Sequence, residues 1–173
     1  MPEQKTLERA RKDARQGKSP STQAGEFVRE EMEHIRQGKH GARSPQQAIA
    51  IGLSKARRAG VKLRPPARGK ASARTHEQAE RDYQKGQSPG KRKPSARRSR
   101  AVRDALKREG KSAASAPALA RHARASARKR GPAARRSAAA KAVRTKGGAG
   151  LRSAARKAAR TRSRRRVQGR QGS

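Results

Sequence analysis

The sequence predicts a mostly α protein, in which a small helical hairpin, with or without a third helix, precedes a long, largely disordered basic tail with transient helices. Two observations lead to this prediction. The chain of 173 residues contains 49 Lys and Arg but 12 Asp and Glu, a formal net charge of +37. It also has one Phe, one Tyr and no Trp, so most of it cannot bury enough apolar surface to offset the entropy of ordering the chain.

The charge is distributed unevenly along the chain. Residues 1–66 contain 15 basic and 7 acidic residues, whereas residues 67–173 contain 34 and 5, and no acid follows Glu109. Long blocks of one sign of charge are usually disordered interaction tails. The predicted parts are a weakly packed N-terminal helix over 1–18, the helical hairpin over 19–63 and the disordered Arg/Lys/Ala-rich tail over 64–173.

The first two helices are predicted from their apolar positions and from the glycines that follow them. Helix one is expected over about 3–16, with little apolar surface. Helix two is expected over about 23–37, before Gly38, because apolar residues recur on one arc of a 3.6-residue period. The packing residues expected on that arc are Phe27, Val28, Met32 and Ile35. The acids expected on its opposite, outer side are Glu26, Glu30 and Glu33.

Helix three has a strong start signal. Ser44 suits the N-cap, Pro45 suits the first helical position, and Gln47 suits the third position of a capping box. Gly60 is expected to end the helix. The packing residues expected on its apolar face are Ile49, Gly52 and Leu53.

Gly52 within this apolar face has two interpretations. The helix tolerates it at a cost of about 1 kcal/mol relative to Ala, or it allows helix two to approach closely, with Phe27 or Met32 lying across it. Ile51, at the edge of the face, indicates contact with helix one or with another molecule. A hairpin of this size is marginal by itself. We therefore expect support from helix one or a homodimer formed through the hairpin.

Transient helices are also expected within the tail. Their expected positions are about 76–85, 96–109, 117–130 and 133–146. Each is bounded by Gly, Pro or a Ser/Thr cap. Ala and Arg favour helix intrinsically, whereas repulsion between neighbouring arginines opposes it until a polyanion binds.

The sequence predicts no enzyme activity, no small-molecule substrate and no cofactor, because only the hairpin offers an interior in which a pocket could shift pKa values. His34 and His40, with Glu30 and Glu33 upstream, are interpreted as polar surface residues rather than metal ligands. The absence of Cys excludes a disulfide framework and a Cys-ligated zinc finger. No stretch approaches the roughly 20 apolar residues that span a bilayer, so no membrane insertion is expected.

Nucleic acid is the predicted partner, with DNA favoured over RNA. Arg outnumbers Lys by 33 to 16, and the planar Arg fork binds phosphate in a bidentate way. Binding of this kind is salt-sensitive and largely independent of sequence. The residues expected to bind are Lys91, Arg92, Lys93, Arg97, Arg98, Arg100, Arg128, Lys129, Arg130, Arg135, Arg136, Arg164, Arg165 and Arg166.

Two other functions remain open at the level of sequence. Arg-rich segments also fold on structured RNA, which is compatible with an RNA- or ribosome-associated basic protein. The hairpin, with an acidic and a basic side, could instead recruit a protein partner as an adaptor that the tail tethers to nucleic acid. A eukaryotic protein is a lower-ranked alternative, since residues 91–100 could serve as a nuclear localisation signal.

The stretch "RSPQQAIAIGLSKARRAGVKL" (43–63), preceded by "EFVREEMEHIRQGKHGA", resembles a family of small basic bacterial proteins of unknown function. The shared segment reads S-P-x-Q-A-I-A-I-G-L-S-x-A-R-R-x-G. The resemblance covers roughly 20–66 and implies a bacterial, cytoplasmic setting without an established activity. The Ala/Arg/Lys/Pro-rich remainder resembles the tails of histone-H1-like nucleoid proteins. That likeness is one of composition, from which a function cannot be borrowed. The charge itself leads to the expected function, a histone-H1-like neutralisation of phosphates and bridging of duplexes in the nucleoid.

Overall fold

The computed structural model describes residues 2–88 and 95–170, with 164–170 described by their backbone alone. Helix makes up 78% of the structure, and the described ranges contain no strand. The α-helices are α1 (Gln4–Arg15), α2 (Pro20–Gln37), α3 (Pro45–Arg58), α4 (Ala73–Gln87), α5 (Ala96–Lys107) and α6 (Ala116–Arg170), with a short 3₁₀ turn at Ser112–Ala114. No helix of the described ranges is long and apolar enough to cross a bilayer.

The predicted helical character is confirmed, but the prediction of a long disordered tail over 64–173 is wrong. Three α-helices, α4 to α6, occupy that part of the chain. Up to residue 146 they lie close to the positions where transient helices were expected, whereas no helix was expected over 148–170. Ala and Arg have high intrinsic helix propensity, and α4 is also capped, since the Ser72 hydroxyl accepts a hydrogen bond from the Thr75 N–H at 3.3 Å. Helix propensity, capping and docking therefore outweigh the repulsion between cations in these helices.

Side-chain caps set the start of both hairpin helices. Ser19 accepts from the Thr22 N–H at 3.4 Å and Pro20 opens α2, so this helix begins three residues earlier than expected. The Ser44 hydroxyl accepts from the Gln47 N–H at 3.2 Å, as the capping box predicts. Gln47 Oε1 in turn accepts from the N–H of residue 43 rather than of residue 44.

Helices α2 and α3 pack closely at Gly52. A Cβ placed on this glycine would lie 2.7 Å from the Cα of Val28, a distance that side chains do not tolerate. Of the two interpretations of Gly52, the geometry therefore matches close approach. The residue lying across Gly52 is Val28, and not Phe27 or Met32 as expected.

The apolar core consists of two clusters along the hairpin. Phe27 and Ile35, at 1% and 0% exposure, lie in different clusters. The first cluster contains Met32, Ile35, Ala42, Ala48, Ala113 and Ala114, with Val28, Ile49 and Leu119 packed against it. The second contains Ala10, Ala24, Phe27, Ala56 and Val61, with Leu7, Leu53, Ala59 and Leu63 packed against it. The hairpin thus shares its core with α1 and with residues beyond 110.

The acids expected on the outer side of α2 are not all solvated. Glu30 is 2% exposed, and its Oε2 accepts a hydrogen bond from the N–H of Glu3 at 3.2 Å. Glu33 is exposed as predicted. Glu31, which lies among the apolar positions of the helix, is 0% exposed and accepts a hydrogen bond from Lys55 of α3 at Oε2, at 2.5 Å. The residues preceding α1 therefore cover Glu30, and a long lysine of α3 covers Glu31.

Helix α4 supports the hairpin by packing on α3. Ala79 is buried, and Asp82, 5% exposed, accepts a hydrogen bond from Ser54 at 2.5 Å. Arg58 Nε lies 3.6 Å from the same carboxylate. At the end of α4, Gln87 donates to the carbonyl of Gly60 at 3.3 Å.

Residues 106–114 dock on the turn that joins α2 and α3. The N–H of Gly41 donates to the carbonyl of Leu106 at 2.8 Å, and the N–H of Ala42 donates to that of Gly110 at 3.2 Å. Arg36 Nε donates to the carbonyl of Ala114 at 3.1 Å. The support that a small hairpin needs is thus present within the chain, and the homodimer stays a prediction.

The chain divides into two compact units, Met1–His122 and Ala123–Ser173. Within α6 the backbone leaves the helical conformation at Gly131 (φ 74°, ψ 171°) and at Gly147 (φ 63°, ψ 173°). This region of φ and ψ is open to essentially glycine alone. The described part of the second unit is therefore a series of helical stretches, 123–130, 132–146 and 148–170.

Candidate nucleic-acid interface

The cations predicted to bind nucleic acid on α5 are exposed. Helix α5 begins after Ser95, and Arg97, Arg98 and Arg100 all lie at its surface. The predicted residues 91–93, just before it, lie outside the described residues. The described part of this basic run therefore presents three guanidinium groups to solvent.

The predicted cations of the second unit are exposed as well. They are Arg128, Lys129, Arg130, Arg135 and Arg136. Consecutive positions on a helix are rotated by about 100° from one another, so these residues point in several directions rather than sharing one face. Arg130 and Arg135 each use Nε to donate to a backbone carbonyl, of residues 126 and 131. An Arg carries five N–H donors, so most of the donors on these side chains are available to a phosphate.

A single cationic face lies farther along the same unit. Arg152, Arg156 and Arg160 follow one another at four-residue spacing, with Lys157 beside them, and together with Ala149 and Ser153 they line one shallow groove. Four residues advance about 6 Å along a helix. One strand of duplex DNA carries a phosphate every 3.4 Å along its axis, so each step along this face spans about two phosphates.

This face was missed by the sequence reasoning. The candidate residues were chosen by local charge density, which favours runs such as 127–136 and 160–166. Arg152 and the pair Arg156 and Lys157 stand among Ala and Ser residues. The i, i+4, i+8 spacing of Arg152, Arg156 and Arg160 would have identified this face once the segment was taken as helical. The predicted cations Arg164, Arg165 and Arg166 belong to the part described by backbone alone, which is helical.

The two units differ in how their cations are balanced. Residues 123–173 contain 18 Lys and Arg and no Asp or Glu. In the first unit, several cations are already engaged by carboxylates. Examples are Arg9 with Glu26 at 2.7 Å, Lys18 with Asp13 at 2.7 Å and Arg43 with Glu109 at 3.2 Å. The second unit therefore presents the larger unbalanced positive charge per residue.

A second polar cluster lies at the C-terminal end of α2. Glu31, His34 and His40 each place a ligand atom within 4.8 Å of the other two. The sequence reasoning grouped these histidines with Glu30 and Glu33 and interpreted them as surface residues. Glu31 takes that place instead, and its i, i+3 spacing to His34 was the available signal.

Comparison of the chain with protein-family models, with curated proteins and with solved structures finds no match.

Proposed function

We propose that this protein is a non-enzymatic DNA-binding protein that neutralises phosphates and bridges duplexes without reading their sequence, in the manner of histone-H1-like proteins. The observation that carries the proposal is the acid-free second unit, with its exposed cationic face at Arg152, Arg156 and Arg160. The resemblance of residues 43–63 to small basic bacterial proteins supports a bacterial, cytoplasmic setting, and the nucleoid location follows from the proposed DNA binding.

The physical basis of the proposed binding is the release of counterions. Each phosphate that a Lys or Arg neutralises frees condensed ions from the duplex, so affinity falls steeply with salt. The guanidinium groups add bidentate hydrogen bonds to phosphate oxygens. A helical face holds such groups at regular intervals, which suits a regular row of phosphates.

A duplex is favoured over single-stranded nucleic acid because single-strand binders stack bases on exposed aromatic rings. The chain has two candidates, of which Phe27 is 1% exposed and Tyr83 is half-buried. A protein adaptor is less well supported, since α1, α4 and residues 106–114 cover much of the hairpin surface that would recruit a partner.

The experiment measures the fluorescence anisotropy of a labelled DNA duplex of mixed sequence, titrated with the full chain at NaCl concentrations from about 50 to 200 mM. We expect affinity to fall linearly on a log–log plot of binding constant against salt. Unlabelled duplex DNA, duplex RNA and single-stranded RNA serve as competitors. No binding at the lowest salt, or competition by RNA at much lower concentration than by DNA, would overturn the proposal.

A pair of charge-matched triple variants locates the interface. Arg152→Gln, Arg156→Gln and Arg160→Gln together should reduce the magnitude of the salt slope by about 3, roughly one for each phosphate that is no longer neutralised. The control carries Arg11→Gln, Lys12→Gln and Arg15→Gln, three exposed cations of α1, and removes the same net charge. If the magnitude of the salt slope decreased equally in the two variants, overall charge, and not the face on α6, would govern binding.

A further inference from the structure

The C-terminal end of α2 brings one carboxylate and two imidazoles together. Glu31 and His34 are one turn apart on the helix, and His40 follows Gly38, whose left-handed conformation (φ 75°) ends it. One ligand atom from each of the three side chains lies within 4.8 Å of the others. The two rings meet edge to face, with centroids 6.0 Å apart. The turn thus folds His40 back over the last turn of the helix.

Glu31 contains an acceptor that is buried without a hydrogen bond. The side chain is 0% exposed, and its Oε2 accepts a hydrogen bond from Lys55 at 2.5 Å. Its Oε1 lies 3.2 Å from Nε2 of His40, yet the direction of approach does not make a hydrogen bond. A buried oxygen left in this way is costly, and the hydrogen bond from Lys55 to Oε2 leaves Oε1 without a hydrogen-bond partner among the described residues.

The ring of His40 is held in one orientation. Its Nδ1 lies 3.1 Å from the carbonyl oxygen of Gly41, and because a carbonyl can only accept, Nδ1 carries the proton. In a neutral imidazole, Nε2 then has a free lone pair. Nε2 is the ring nitrogen that lies 3.2 Å from Oε1 of Glu31. A histidine fixed by a backbone carbonyl in this way is the usual arrangement behind a metal ligand.

The spacing of the two atoms fits joint coordination of an ion. Zn²⁺ binds imidazole nitrogen and carboxylate oxygen at about 2.0–2.2 Å in tetrahedral geometry, which places two ligand atoms about 3.3 Å apart with both lone pairs directed at a third point. The observed separation of 3.2 Å between Glu31 Oε1 and His40 Nε2, without hydrogen-bond alignment, has this form. A charged imidazole donating to the carboxylate would instead point its N–H at the oxygen.

We propose that Glu31, His34 and His40 bind a divalent transition-metal ion, with Zn²⁺ the best match to one carboxylate and two imidazoles. Glu3 Oε1 lies 2.8 Å from Nε2 of His34 and orients that ring, as carboxylates do behind zinc ligands. The ion fixes the turn on which residues 106–114 dock.

The test is isothermal titration of zinc chloride into the full chain, prepared without an affinity tag and dialysed against a chelator, with the thermal unfolding midpoint measured with and without zinc. We expect one ion per chain and a rise in the unfolding midpoint when zinc is saturating. His40→Ala should weaken the binding by at least about tenfold and abolish the rise. The matched controls are His76→Ala and His122→Ala, which remove the two histidines outside the cluster and should leave both readouts unchanged.

The proposal is overturned if the wild-type chain binds no zinc, if His40→Ala binds it as tightly as wild type, or if either control loses it. Circular dichroism establishes that each variant is folded. If His40→Ala is not folded, Glu31→Gln and His34→Gln replace it, and the same weakening is expected of each. Since neither readout involves nucleic acid, a failure of the proposed DNA binding leaves this test unaffected.

Discussion

The two compact units carry nearly the same excess of positive charge, but only the first unit contains acidic residues. Residues 1–122 contain 31 Lys and Arg with all 12 of the acids, whereas residues 123–173 contain 18 Lys and Arg with none. In the first unit, acids mark the places where the chain packs on itself. Asp82 joins α4 to α3, Glu109 meets Arg43 at the docking segment, and Glu30 and Glu31 lie beneath α1 and α3.

The comparison indicates that in so basic a chain several of the rare carboxylates lie at tertiary contacts, beside the apolar clusters. A Lys- and Arg-rich segment repels its neighbours, and a single buried acid removes that repulsion where two helices must meet. Where no acid is available, as in the second unit, helices form from propensity alone and their cations stay open to an external polyanion. Three substitutions test this contrast, from the largest expected effect to the smallest.

The close approach of α2 and α3 at Gly52 should be the most sensitive position. A leucine there has no space, because even its Cβ would lie 2.7 Å from the Cα of Val28, so Gly52→Leu should lower the free energy of unfolding by about 3 kcal/mol. The control is Gly25→Leu on α2, where a Cβ meets nothing within 4 Å and the better helix former should raise stability by about 0.5 kcal/mol. Urea unfolding monitored by circular dichroism measures both, and equal stabilities would show that the helices are not in close contact.

The acid that joins α4 to α3 comes next. Asp82→Ala removes a buried carboxylate that accepts from Ser54 and lies near Arg58, so we expect stability to fall by about 2 kcal/mol. Asp104 on α5 is exposed, and Asp104→Ala should change stability by less than about 0.5 kcal/mol. Urea unfolding monitored by circular dichroism measures the stability of both variants. A small effect at Asp82 would contradict the view that acids hold the first unit together.

The smallest effect is expected in the second unit. Ala139 is exposed within the helical stretch 132–146, so Ala139→Gly should cost that stretch about 1 kcal/mol of helix propensity and reduce the far-ultraviolet helical signal. The unfolding midpoint of the first unit should not move, since the change touches none of its contacts. If the unfolding midpoint of the first unit also fell, the two units would not unfold independently.

Local features of the fold were predictable from the sequence. Ser44, Pro45 and Gly38 act through the backbone groups of their immediate neighbours, so the start of α3 and the end of α2 follow from short-range chemistry. The helix positions in the tail up to residue 146 followed for the same reason, because Gly131 and the residues around Gly147 interrupt runs of strong helix formers, whereas the stretch 148–170 was not expected. Propensity and caps are properties of a few adjacent residues and do not depend on the rest of the fold.

The tertiary contacts were not predictable in the same way. Glu30 looks solvent-facing on a helical wheel, and only the distant residue Glu3 reveals that it is buried. Glu31 lies among the apolar positions of α2, but that pattern does not identify its partner Lys55 on α3. The docking of residues 106–114 depends on backbone hydrogen bonds to Gly41 and Ala42, which leave little trace in side-chain pattern. For the candidate site, counting charge found exposed cations but overlooked Arg152 and Arg156, whose arrangement becomes visible only once the segment is known to be helical.

The glycine interruptions of α6 set a length scale for the proposed DNA complex. The stretch 132–146 between Gly131 and Gly147 is a straight rod about 22 Å long, at 1.5 Å per residue. One turn of duplex DNA advances about 34 Å along its axis, and the phosphate ridge winds around the duplex as it advances, so a straight helix can touch the ridge over only part of a turn. In the proposed complex the two glycine joints would let successive stretches take new directions along the ridge, whereas one unbroken helix would leave it after touching only a few phosphates.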